Sequence, residues 1–329
     1  GTDTLGRGIY VEESDLQTGN ASTLSVTDSL VLRARLEAVR VASASATLTR
    51  LAILDTLTQA SDDLGGIGLG IYAREETDTP AEVTIAQLVI DGTHEGGLAI
   101  EDSIVSIDAM TLSRVTASGA DRWGRCVNVQ RRATEPVVTL SRSRIEDCVG
   151  SGVFLGGGSL TVESTRVADV ATESSGLHGY GITAQRGFDG SAPMLTLQDS
   201  LVAHSFVAGV AVFGGYVDIR GAHLRDTSPD VRGFGDGLLL YNYQGDTAGG
   251  LVRATRLAHN ERVGVALFGA EADLDGVRLE CNAIDLHGET TFDNDFSLEA
   301  GEVSCSCGEQ SDACKLQSQS IEAPDPIAP

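Results

Sequence analysis

The chain has 329 residues, 41% hydrophobic but only 5% aromatic, with 39 Gly and 7 Pro, a balance that suits thin repetitive layers better than a thick globular core. Its 47 acidic and 23 basic residues give a formal net charge of −24, which argues against nucleic acid or anionic membrane as a general partner. No apolar run reaches the roughly 18 residues that a membrane-spanning helix needs, so membrane insertion of that kind is not expected.

From Gly8 onward one pattern returns along the chain: apolar-x-apolar-x-x-small-x-aliphatic. It is met at 24–31 (LSVTDSLV), 138–145 (VTLSRSRI), 160–167 (LTVESTRV) and 195–202 (LTLQDSLV). Its last position forms a column: Val31, Ile53, Ile90, Val115, Ile145, Val167, Val202, Leu224, Leu257, Leu279 and Val303. No member is polar, and long intervals alternate with short ones. A second column opens each repeat after a Gly-rich turn: Ile9, Val41, Ile71, Leu98, Val127, Val153, Ile182, Val210, Leu239 and Val265. Around it inward aliphatics alternate with variable residues. A period of two marks strands, and repeats of about 20 to 40 residues mark a solenoid. The small position repeats as Ser29, Ser113, Ser143, Thr165, Ser200, Ala222 and Thr255, which predicts a hydroxyl ladder at a tight bend rather than a catalytic serine.

The expected fold is therefore all-β: one parallel β-helix of about eleven coils, long and short in alternation, over residues 1–303. A Cys-bearing closing segment (304–316) follows, then a loose tail (317–329) containing Pro324, Pro326 and Pro329. Because a coil begins almost at Gly1 with no cap before it, the chain is expected to be part of a longer one. Cys281, Cys305, Cys307 and Cys314 gather near the end and predict at least one disulfide, hence an exported or cell-surface protein, in a bacterium. Cys126 and Cys148 are left open between thiol and disulfide.

The Gly-aliphatic opening strand and the later Ser-x-aliphatic bend resemble the repeat of the right-handed parallel β-helix proteins of the pectate-lyase-like kind, from Gly8 to about Val303. The resemblance implies a right-handed, single-stranded coil. It also implies that the strand after the Gly turn is the floor of a ligand groove, with flanking loops as walls. That family mixes polysaccharide lyases, glycosidases, epimerases, tailspikes and adhesins, so fold alone does not select a function. The sequence departs from it in having Ser, Thr or Ala where an asparagine ladder is common. It also lacks the paired Asp with Gly-His-Gly of polygalacturonases and the Arg-x-Pro-x-x-Arg of pectate lyases.

On the floor the outward positions include Tyr10, Glu12, Tyr72, Arg74, Glu101, Asn128, Gln130, Phe154, Thr183, Gln185, Phe213 and Asn242, with Trp123, His178, Tyr180 and Phe234 on one wall and Arg131 and Arg186 on the other. Amides, opposite charges and aromatic edges are what a sugar chain requires. The ligand-binding set expected is Tyr72, Arg74, Glu101, Trp123, Asn128, Gln130, Arg131, Phe154, Gln185 and Arg186, with Arg74, Glu101, Gln130 and Gln185 in one continuous row. Seven arginines between 114 and 144 make one coil locally positive, and only Arg131, Arg132 and Arg125 among them could share the groove. For catalysis, Glu101, Arg131, His178 and Arg186 are the candidates for base, charge neutraliser and acid. Glu101 and Asp102 should face opposite ways and make a poor carboxylate pair. No cofactor is expected beyond a calcium ion at one of the acidic pairs Glu12–Glu13, Asp62–Asp63 or Glu75–Glu76. Three readings stay open: a non-catalytic binder of extracellular glycan or of a partner cell, a polysaccharide lyase or hydrolase acting on an acidic glycan, and a structural spacer.

Overall fold

The computed structural model describes residues 6–13, 22–74, 78–118, 124–308, 311–317 and 321–327. Eleven strands lie side by side in one parallel sheet, one per coil: Ile9–Glu12, Glu37–Ala42, Ile67–Tyr72, Gly96–Glu101, Arg125–Gln130, Ser151–Gly156, Tyr180–Gln185, Val207–Phe213, Gly235–Tyr241, Val263–Phe268 and Ile284–Glu289. This is the floor sheet, and its strands number the coils 1 to 11. The short strand Leu316–Gln317 adds to its last edge. The remaining strands form a second sheet that wraps the other two sides of each coil, parallel throughout except where residues 311–312 pair antiparallel with Val303–Ser306. The molecule is a parallel β-helix, and the right hand follows from the preferred crossover between parallel strands.

The core fills the coil interior. In register, Ile9, Val39, Leu69, Leu98, Val127, Val153, Ile182, Val210, Leu238, Val265 and Leu286 stack as one inward column of the floor. Val41 and Ile71, expected in this column, stand one inward position further on. Leu239 points outward beside Ala211, because three successive leucines hide the alternation that would have fixed it.

The residue just before this column is Gly8, Ala38, Gly68, Gly97, Cys126, Gly152, Gly181, Gly209, Gly237, Gly264 and Asp285. Glycine dominates because the rungs approach too closely for a side chain. A Cβ on Gly152 would lie 2.7 Å from the Gly181 carbonyl oxygen of the next rung and 2.6 Å from Val167. One on Gly97 would lie 2.8 Å from the Cys126 carbonyl oxygen.

On the second sheet the aliphatic column runs Val31, Ile53, Ile90, Leu112, Ile145, Val167, Val202, Leu224, Leu257, Leu279, Cys305. Leu112 takes the place expected for Val115, and Cys305 that of Val303. With this correction every short step from Val31 to Leu279 is 22 residues, between longer steps of 33 to 37. The bend just before the column is made in each of coils 1 to 10 by one left-handed residue, among them Asp28, Arg50, Arg142, Ser164, Asp199 and Gly221. The ladder hydroxyls follow it and answer its unpaired groups. Ser143 Oγ donates to its own Ser141 carbonyl at 2.8 Å and accepts the Met110 amide at 3.0 Å, and Thr165 and Ser200 repeat the motif. Met110, not Ser113, holds the ladder position in its coil.

Asparagines do occur, at the next bend. Asn260 accepts the Thr227 amide at 3.3 Å and Asn282 accepts the Asn260 amide at 3.1 Å. All six cysteines are bonded. Cys126–Cys148 ties the start of coil 5 to its end inside the core, while Cys281–Cys307 and Cys305–Cys314 pin the closing segment. Each such bridge contributes roughly 3 kcal/mol by loop-closure entropy.

The close approach at the glycine column gives a direct test. Gly152→Ala, at a position free of positive φ, should destabilise the chain by about 1–3 kcal/mol through overpacking. Chemical denaturation with an unchanged midpoint would contradict it.

Candidate functional site

The outer side of the floor carries two usable rows. The middle row is Tyr10, Arg40, Gly70, Ala99, Asn128, Phe154, Thr183, Ala211, Leu239, Ala266 and His287. The exit row is Glu12, Ala42, Tyr72, Glu101, Gln130, Gly156, Gln185, Phe213, Tyr241, Phe268 and Glu289. Glu101, Gln130 and Gln185 do share a row, as expected. Gly156 interrupts it, since a Cβ there would meet the Phe154 ring at 3.1 Å. Arg74 is not in the row; it lies past the strand end and reaches back to Glu12 at 3.5 Å.

The face divides into a polar half over coils 1 to 6 and an apolar half over coils 7 to 11. In the polar half, buried Glu37 faces Arg40 at 3.3 Å and Arg7 at 3.5 Å, and the Arg40 guanidinium lies 4.3 Å from the Tyr72 ring centre. Burial pushes the Glu37 carboxyl up, and burial together with that carboxylate pushes the Tyr72 phenol up. Glu101 pairs with Arg132 at 2.9 Å, and Arg132 lies over Phe188. Burial raises the Glu101 carboxyl against the opposing pull of Arg132. Asp102 faces the other way, accepting the Arg132 and Ala133 amides and so shaping the loop after coil 5. Asn128 accepts from Gln130 at 3.2 Å and from Arg125 at 3.1 Å. Arg125 is only 1% exposed, lies 3.9 Å from the Phe154 ring centre, and is brought down to about 10 by burial. The Gln130 side-chain oxygen is buried with no partner.

The catalytic candidates do not converge. Arg131 pairs with Asp189 at 2.9 Å, Arg186 with Asp246, His178 with Glu173 at 3.0 Å, and Glu101 with Arg132. Other arginines of the positive coil are paired in the same way: Arg114 meets Asp91, Arg142 meets Asp108, and Arg144 meets Glu146 at 2.7 Å. Trp123 and the pair Glu75–Glu76 lie outside the described residues. Among the described residues no three His, Cys, Asp or Glu side chains group as a metal would require. The sequence reading missed Glu37 and Arg40 as members of the surface, and the pairings of Arg132, Asp189 and Asp246. Their signal lies in the register between coils, not in any local motif.

The apolar half is covered. Residues 321–327, expected to hang loose, lie back across it. Ile327 is 3% exposed in a cluster with Phe154, Tyr180, Ala211, Phe213, Leu239 and Phe268. Tyr180 Oη donates to the Asp325 carbonyl and Gln185 Nε2 to the Ile327 carbonyl, each at 2.8 Å. Gln185, expected to meet a ligand, thus meets the chain's own tail, and Phe154 lies in the same apolar cluster as Ile327.

No family model matches the sequence, and no curated protein matches it. Among solved structures it is similar to pectate lyase Pel9A, at 12% identity and TM-score 0.42 over 89% of this chain and 68% of that one. It is similar to the catalytic unit of the GH87 α-1,3-glucanase of Streptomyces thermodiastaticus strain HF3-3, at 9% and 0.39 over 84% and 63%. It is also similar to the periplasmic alginate epimerase AlgG, at 11% and 0.33 over 94% and 84%. At such TM-scores the likeness carries no inference about activity; the fold rests on the strand register above.

A carboxyl raised by burial loses stability as pH rises through its folded value, and below the ordinary range near ~4.3 that loss is absent. Glu101→Gln, which stays neutral, should therefore gain stability relative to the parent between about pH 4 and pH 7. Thermal unfolding at both pH values reads this, and a relative loss at pH 7 would mean that Arg132 outweighs the burial.

Proposed function

We propose that this is an exported, non-catalytic binding protein whose ligand surface is the polar half of the floor, with a hydroxyl-rich extracellular glycan as ligand. The observation that carries the reading is the separation of the four candidate groups into four self-contained pairs, Glu101–Arg132, Arg131–Asp189, Arg186–Asp246 and His178–Glu173. Acid–base chemistry needs a base and a charge neutraliser within reach of one carbon. Ion pairs spread along a shelf instead offer fixed donors and acceptors, with the exposed Phe188 ring beside them. Three disulfides favour an oxidising compartment. Because the arginines are neutralised in place, the ligand favoured is neutral or weakly charged, and binding should respond little to salt.

The test is a panel of neutral and uronate polysaccharides, scored for binding by calorimetry and for turnover by absorbance at 235 nm and reducing ends. Binding without turnover is expected. Arg132→Ala should weaken it about tenfold, the worth of one or two hydrogen bonds, while Arg253→Ala on the far sheet should leave it unchanged. Turnover abolished by Glu101→Ala or Arg131→Ala would overturn the non-catalytic reading.

A further inference from the structure

The apolar half of the floor is built to hold a peptide. Its wall consists of Arg232, Phe234 and Arg262, with both guanidiniums against the Phe234 ring at 4.8 and 4.7 Å. Arg262 is fixed by fully buried Asp236, with Nε to Oδ1 at 2.7 Å, and donates its other arm to the Glu322 carbonyl at 2.8 Å. Three side-chain donors, on Arg262, Tyr180 and Gln185, therefore end on three main-chain carbonyls of residues 322, 325 and 327. Among the described residues no backbone hydrogen bond joins this segment to the floor. The floor reads carbonyls and asks for no N–H.

A segment rich in proline suits that demand, because proline keeps its carbonyl and has no N–H to leave unpaired. Pro324 and Pro326 alternate here with Asp325 and the buried Ile327. Such a chain is also pre-extended and loses little entropy on docking.

We propose that the channel over coils 7 to 10 is a docking site for an extended proline-containing segment ending in an aliphatic residue. Residues 321–327 fill it in cis, and a partner protein carrying a segment of the same chemistry takes their place. The tail is a tethered competitor: at the millimolar effective concentration of a short tether, it masks the site from weaker ligands. This proposal is independent of the glycan reading, which concerns coils 1 to 6.

The experiment uses the full chain. A fluorescein-labelled peptide with the sequence of residues 318–327 is titrated by anisotropy against the parent, against Ile327→Asp, which should expel the tail, and against Ile327→Asp with Gln185→Ala. Trimming of each folded protein after Glu322 by a glutamate-specific protease reports independently whether the tail is held, since that carbonyl is bound by Arg262, and near-ultraviolet circular dichroism whether the solenoid is intact. The expected result is slow trimming of the parent and fast trimming of Ile327→Asp. That variant should bind the peptide at least about tenfold more tightly than the parent, with the gain lost in the double variant and absent for a scrambled peptide. Equal trimming of parent and Ile327→Asp, equal peptide affinity, or a folded, tail-released variant that binds no peptide would each overturn the proposal.

Discussion

Successive coils approach until the carbonyl oxygen of one rung lies where the side chain of the rung below would begin. The glycine column at the start of the floor strands records that approach, and the rest of the molecule is arranged around it. It lets the floor run as a continuous parallel sheet with rungs about 4.8 Å apart. Outward side chains at equal positions then stack in rows, and residues distant in sequence become neighbours, such as Glu101 and Arg132. The column is broken at Ala38, Cys126 and Asp285, and two of these have an evident local cause. At Cys126 the side chain is absorbed by the bond to Cys148. Asp285 stands on the last full rung, where its carboxylate accepts the Lys315 amide of the closing segment.

The same stacking organises the charge. A chain of net charge −24 holds itself together without a buried acidic cluster because its arginines sit opposite carboxylates one coil away, as at Arg50–Asp28, Arg114–Asp91 and Arg256–Glu280. Each exposed pair is worth little, at most about 1 kcal/mol. On the polar half of the floor the pairs Glu37–Arg40, Glu101–Arg132 and Arg131–Asp189 balance charge locally in the same way. The apolar half differs because Phe213, Leu239, Tyr241 and Phe268 would make a large exposed patch if left bare, and the tail covers it.

The fold was legible in the sequence because a period of two and a repeated bend are local signals. The register was legible only to within one inward position. Val41 and Val39 are both inward valines two apart, and Val115 and Leu112 are both aliphatic, so only the neighbouring coils decide between them. The surface was read in part. Alternation alone placed Glu101, Gln130 and Gln185 in one row, whereas the pairings of Arg131 and Arg186 depend on wall loops whose reach no strand pattern encodes. The docked tail was illegible because prolines and polar residues read as linker, and two of the three donors that hold it lie more than a hundred residues upstream, at Tyr180 and Gln185.

Register is the central claim, and the cysteines report on it directly. Cys126 can reach Cys148 only if it occupies the glycine column of coil 5, while Cys148 stands at the inward bend that closes the same coil. Cys281 meets Cys307, and Cys305 meets Cys314, only if the last full turn has the stacking described above. Proteolysis of the unreduced protein with mass mapping of the linked peptides measures this. The structure predicts the pairs Cys126–Cys148, Cys281–Cys307 and Cys305–Cys314. A free Cys126, or a bond between Cys281 and Cys305, would contradict the register on which the floor, its ion pairs and the docked tail all depend.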